Sequence, residues 1–115
     1  MDENWLRMET LRRGDTPDAR LLAVFDVLHE SLQRRDVALL PLFETPSATP
    51  VAGRSFVEEL ALAARIGEAR RFSEVWYMLM NGAIVAAHAG DGDAAPKARR
   101  AAEQVLAAWR RDDAD

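Results

Sequence analysis

The sequence predicts an all-α protein of about five helices, on three observations. Apolar residues recur at three- and four-residue spacing through most of the chain, no stretch alternates with a period of two, and helix start and stop signals punctuate the pattern. The 115 residues make one domain, and a chain of that length buries roughly two-thirds of its unfolded surface. Cysteine is absent, so neither a disulfide framework nor thiol chemistry is expected.

Asn4 to Arg13 reads as a first helix, with Trp5, Met8 and Leu11 roughly on one side and Asp2 and Glu3 near its start, where negative charge suits the helix dipole. Gly14 ends it. Thr16 then caps a second helix with Pro17 in its first position and Asp18 just behind. Leu21, Phe25, Leu28 and Leu32, flanked by Leu22 and Val24, carry its apolar stripe to about Arg35. Asp36 to Gly53 reads as a short apolar turn or helix, broken by Pro41, followed by a loop.

Ser55-x-x-Glu58 has the form of a capping box and is expected to open a third helix, whose buried side is Phe56, Leu60, Ala63, Ala64 and Ile66. Gly67 marks its stop. After a short connector comes Phe72 to Gly90, the stretch around which the rest is organised. It is too apolar for a surface helix and too interrupted for a membrane span, which needs roughly 20 predominantly apolar residues. Such a helix is expected to be sandwiched, with its own domain on one side and a second copy of the chain on the other. Gly82 in mid-helix costs about 1 kcal/mol relative to alanine, and with Ala83, Ala86 and Ala87 it would let a neighbouring helix come close.

Gly90 and Asp91-Gly92-Asp93 end that helix in a tight turn. Asp93 is the expected cap of the last helix, Pro96 falls in its first turn, and Ala98, Ala101, Ala102, Val105 and Trp109 form its stripe. A short turn makes the last two helices antiparallel neighbours.

Chemistry is sparse. Histidine stands only at 29 and 88, with no cysteine and no metal-ligand spacing, so no metal and no cofactor are expected. Glu58 and Glu59 point to different helix faces. Gly90-Asp91-Gly92 follows a helix and is no phosphate loop, and Ser55 and Ser73 read as helix-start residues rather than nucleophiles. An enzyme is therefore not expected; it would need His29 or His88 to face a cavity beside a carboxylate. The formal charge of −4 argues against a nucleic-acid surface, and Arg12-Arg13, Arg34-Arg35 and Arg110-Arg111 fall at expected helix ends. Met1 to Gly14 places acids ahead of its first apolar residue, which is not a signal peptide, and the default location is cytoplasmic. What remains is an apolar cavity between helices, lined by Phe25, Phe56, Leu60, Trp76 and Met80, with His29, Tyr77 and Asn81 as polar contacts.

Phe72 to Trp109, above all Leu79-Met80-Asn81-Gly82-Ala83-Ile84-Val85-Ala86-Ala87, then Gly90-Asp91 and the alanine-rich Ala94 to Leu106, resembles the C-terminal domain of TetR-family transcriptional regulators. In that family the penultimate helix commonly has Asp-Gly-Ala where this chain has Asn81-Gly82-Ala83. Leu21 to Arg35 and Leu40-Pro41-Leu42-Phe43 look like the family's earlier regulatory helices. The resemblance implies a ligand-sensing and homodimerisation domain. Phe25, His29, Phe56, Leu60, Trp76, Tyr77 and Met80 would then meet a hydrophobic or aromatic effector. Gly82, Ala83, Ala86, Ala87, Ala98, Ala101, Ala102, Val105 and Trp109 would build a four-helix homodimer interface. The family's N-terminal helix-turn-helix is not seen in these residues, and Met1 to Gly14 is too short to contain it, so direct nucleic-acid contact is not expected. The alternative expectation is a stand-alone helical adaptor or dimerisation protein without a working pocket.

Overall fold

A computed structural model describes residues 3–33 and 49–114, with side chains described over 6–33 and 56–112. Among them are five helices and no strand: α1 Glu3–Arg13, α2 Pro17–Gln33, α3 Thr49–Ala63, α4 Ala69–His88 and α5 Ala94–Ala114. The expected turn and loop over 36–48 lie outside the described residues.

The start of α2 follows its sequence signal. Thr16 Oγ1 accepts the Ala19 amide at 3.1 Å, its carbonyl accepts the Arg20 amide at 2.9 Å, and Pro17 opens the helix where no amide proton is needed. Gly14 is buried against that first turn, and the Arg20 guanidinium returns a hydrogen bond to its carbonyl at 3.0 Å.

The face of α1 differs from the expected one. Leu6 and Thr10 are fully buried with Gly14, whereas Met8 and Leu11 are exposed. Spacing alone allowed either face. What fixes the rotation is Gly14 against α2 together with ion pairs from Arg7 to Glu59 of α3 and from Arg13 to Glu30 of α2.

Helix α3 begins at Thr49, so Ser55 sits within it rather than capping it. Pro50 and Gly53 belong to this helix rather than to a loop. Its end also differs. Arg65, with φ of 57°, takes the left-handed position expected of glycine, as the Arg65 amide bonds the Leu62 carbonyl and the Ile66 amide bonds the Ala61 carbonyl. Ile66, 5% exposed, then plugs into the core. Glu68, with φ of 53°, is left-handed too, and α4 starts after it at Ala69. The connector is held from α5: Trp109 Nε1 donates to the Gly67 carbonyl at 2.8 Å and Arg110 to the Ala64 carbonyl at 2.8 Å. A left-handed non-glycine residue costs about 1–2 kcal/mol. Arg65→Gly is therefore expected to stabilise the protein by about 1 kcal/mol, raising Tm by about 4 °C in a thermal melt followed by circular dichroism.

Ser73 lies one turn inside α4, fully buried, and its hydroxyl donates to the Arg70 carbonyl at 2.7 Å, a helical back-bond rather than a start signal. The end of α4 is as expected. Gly90, with φ of 112°, supplies the left-handed position, the Gly90 amide bonds the Ala87 carbonyl and the Asp91 amide bonds the Ala86 carbonyl.

The most enclosed helix is α2, which packs on all four others, with Leu21, Val24, Phe25, Val27 and Leu28 at 0–1% exposure. It runs antiparallel to α5. Asp18 pairs with Arg110 at 2.6 Å, Asp26 pairs with Arg99, and Gln33 donates to the Gly92 carbonyl, so the register advances along one helix as it recedes along the other. The core centres on Trp76, fully buried, stacked on Phe72 at 4.8 Å and edge-on to Phe25 at 5.6 Å. Its indole nitrogen donates to the Leu21 carbonyl at 3.0 Å.

Candidate functional site on the outer face of α4

Helix α4 buries Ala69, Phe72, Ser73, Trp76, Met80, Ala83 and Ile84 toward the core. The opposite side is not covered by any of the described residues. Met78 is 70% exposed and Val85 53% exposed, and with Val75, Gly82 and Ala89 they follow alternating steps of three and four. That is the spacing that places residues along one seam of a helix packed against another helix. From Val75 to Ala89 this seam carries no charge. A Cβ placed on Gly82 would meet nothing within 4 Å. Among the described residues, the glycine that interrupts α4 therefore has no packing partner on this face.

Beside the seam, a shallow cleft of about 260 Å³ runs between α4 and α5. Leu79, Gly82, Ala83 and Ala86 form one wall and Ala94 and Ala98 the other. Asp91 and Lys97 close one end, 2.9 Å apart. Asp91 also accepts the Asp93 amide at 3.0 Å, so the side chain that shapes the turn into α5 belongs to Asp91. The Lys97 ammonium, then the Asp93 amide, holds the Asp91 carboxyl below the ordinary aspartate range. Because the folded value is the lower one, the stabilisation is complete above the ordinary range and is lost as pH falls through it to the folded value. Lys97→Met is expected to move the Asp91 carboxyl titration upward in a ¹³C NMR titration; an unchanged midpoint would deny the contact.

The flanks of the seam are polar. Glu74, Asn81 and His88 stand at seven-residue intervals, with Glu74 and His88 exposed and Asn81 half-buried, its Oδ1 enclosed without a partner among the described residues. Arg70 and Arg71 are exposed at the beginning of α4, and Asp91 and Asp93 follow its end.

The residues expected to line an effector cavity lie elsewhere. Phe25, Phe56, Leu60, Trp76 and Met80 are each at most 4% exposed and fill the core against one another and their neighbours. Tyr77 is half-buried against that core and His29 is half-buried on α2. None of them lines the α4–α5 cleft, nor a second, polar cleft of about 230 Å³ bordered by Glu68, Arg71, Trp109 and Asp112.

The residues expected at a dimer interface divide three ways. Gly82, Ala83, Ala86 and Ala98 line the open cleft, and Ala101 is half-buried on α5. Ala102 is fully buried in the chain's own core, on which Ala87 and Val105 also pack, so Ala102 offers no surface to a partner. Trp109 is engaged within the chain, edge-on to Phe72 at 5.3 Å and bonded to Gly67. Met78 and Val85, the most exposed large apolar side chains of the seam, were not among the residues expected there. Their signal was present in the three-four spacing from Val75 to Ala89.

Basic side chains are largely consumed in the fold: Arg13 by Glu30 and Glu9, Arg99 by Asp26 and Glu103, Arg110 by Asp18. Among the described residues no group of three or more His, Cys, Asp or Glu is placed to hold a metal, and no helix is long and apolar enough to cross a membrane. Among the described residues the fold is a bundle of five helices in which the outer face of α4 is apolar and uncovered. No family model matches the chain, nor does any curated protein or solved structure.

Proposed function

We propose that this protein is a homodimerisation module, the adaptor-like alternative among the sequence readings, and that the outer face of α4 with the adjoining cleft on α5 is its interface. The observation that carries this is the uncharged seam through Met78, Gly82 and Val85, whose central glycine has no neighbour on this face among the described residues. Water-exposed Met78 and Val85 gain by burial at about 25 cal/mol per Å² of apolar surface, and a second helix at Gly82 gives that glycine a packing role. The TetR resemblance points to the same helices. It also implies an effector, and for that part the support is weaker, because the residues assigned to the effector occupy the core themselves.

Native mass spectrometry and sedimentation equilibrium test the proposal. A dimer at micromolar concentration is expected, and Met78→Glu is expected to weaken it by about tenfold or more, since a carboxylate would be desolvated in an apolar seam. The helical circular dichroism of the variant should match the parent, because Met78 is exposed in the single chain. A monomer at all concentrations would overturn the reading.

A further inference from the structure

The charges that frame the seam carry the reading one step further. A second copy can lie on α4 in two ways, parallel or antiparallel about a two-fold axis. Arg70 stands exposed at the beginning of the seam and Asp93 exposed after its end, whereas the neighbouring Arg71 and Asp91 have Glu68 and Lys97 as partners in their own chain. A parallel arrangement would set arginine against arginine and aspartate against aspartate. An antiparallel one sets each basic end against the acidic end of the other copy, and it also opposes the two helix dipoles.

Resting on the dimer reading above, we infer that the two copies of α4 pack antiparallel with the two-fold axis at Asn81-Gly82. That register follows from residue positions. An axis there sets Met78 opposite Val85 of the second copy, so the two bulkiest exposed apolar residues of the seam meet each other. It sets Glu74 opposite His88 of the second copy on the flank, a carboxylate facing a group that gains charge when protonated. At the axis itself Gly82 faces its own counterpart, where the open space above it lets the helix backbones approach most closely. Shifting the axis by a full turn toward either end would set Met78 or Val85 against its own counterpart and Gly82 against Glu74 or His88, and break all three matches at once. An interface of this kind is isologous, each contact occurring twice, and it closes at two subunits.

The absence of cysteine makes a direct test possible, since every introduced thiol is the only one in its chain. A disulfide requires the two Cα atoms within about 7 Å. At a helical rise of about 1.5 Å per residue, position 78 lies about 10 Å along the axis from position 78 of an antiparallel partner. Gly82→Cys, oxidised with copper phenanthroline, is therefore expected to link to itself. Met78→Cys alone and Val85→Cys alone should not link, whereas an equimolar mixture of the two should link about tenfold more than either alone. The mixture leaves Gly82 intact, so it stays informative where a side chain at position 82 disturbs the dimer. Self-linking of Met78→Cys in a dimer would overturn this register, and self-linking at both 78 and 85 would mark a parallel pair. A dimer in which the mixture fails to link would also overturn the register and leave dimerisation itself standing. A monomer by sedimentation would remove both readings together, so the two failures are distinguishable.

Discussion

Trp76→Ala is expected to lose about 4 kcal/mol of folding stability, read as a large shift of the urea midpoint with little change in slope. Small domains have about 5–15 kcal/mol in total, so this one change removes a large share of it. The ring is fully buried where α4 meets α2: it stacks on Phe72 of its own helix, meets Phe25 of α2 edge-on, and donates to the Leu21 carbonyl of α2. Truncation opens a cavity that α2 cannot collapse into, because α2 is held on all sides by the other helices. Trp76→Phe keeps most of the volume and loses the hydrogen bond, and its cost should be about 1–2 kcal/mol. A loss below about 1 kcal/mol for the alanine variant would mean that the aromatic cluster is not the centre of the core.

The ring cluster also shows what the sequence discloses and what it withholds. That Phe25, Phe56, Trp76 and Met80 are inward-facing was legible from helical spacing. Whether they enclose a cavity or fill it was not, since the same side chains at the same spacing serve both purposes and only the close approach of helices distant in sequence decides. The start of α2 and the end of α4 were legible because each rests on local chemistry, Thr16-Pro17 in one case and Gly90 in the other. That 49–53 are helical was not legible, because Pro50 and Gly53 are ordinarily turn-forming residues. The stop at Arg65 had no local signal at all. A left-handed arginine persists there because Ile66 is anchored in the core and Trp109 and Arg110 hold the adjoining carbonyls from the far end of the chain.

For the candidate interface, the residues expected from the sequence overlap only in part with the uncovered face of α4 and its cleft. Gly82, Ala86 and Ala98 do line the open cleft, but the alanine-rich pattern of α5 did not separate Ala102, which faces inward, from Ala98 and Ala101, which lie toward the surface. Alanine is small enough for either role. The side of α5 that faces the core is selected by Asp18 and Asp26 reaching Arg110 and Arg99, pairings between remote stretches that no periodicity reveals.

Gly14→Ala is expected to destabilise the protein by about 2–3 kcal/mol, although it adds only one methyl group. That methyl would stand 2.6 Å from Arg20 Cγ, 2.7 Å from the Arg20 nitrogen and 2.9 Å from its Cα. The side-chain carbon could move aside. The two backbone atoms cannot, unless the first turn of α2 shifts, and that turn is held by the Thr16 cap and by the Arg20 hydrogen bond to the Gly14 carbonyl. Losing the cap alone costs about 1 kcal/mol, and the rest follows from displacing α1 against α2, where Leu6 and Thr10 are fully buried. Gly82→Ala provides the opposite sign on the same measurement. Its new methyl meets nothing, and alanine is the better helix former by about 1 kcal/mol, so the isolated chain should gain stability at dilutions where it is monomeric. Chemical denaturation of both variants at low protein concentration decides the matter. Equal and small effects at the two positions would mean that α1 does not press on α2 as closely as these distances require, whereas opposite signs locate one glycine in a tight helix contact and the other on an open face.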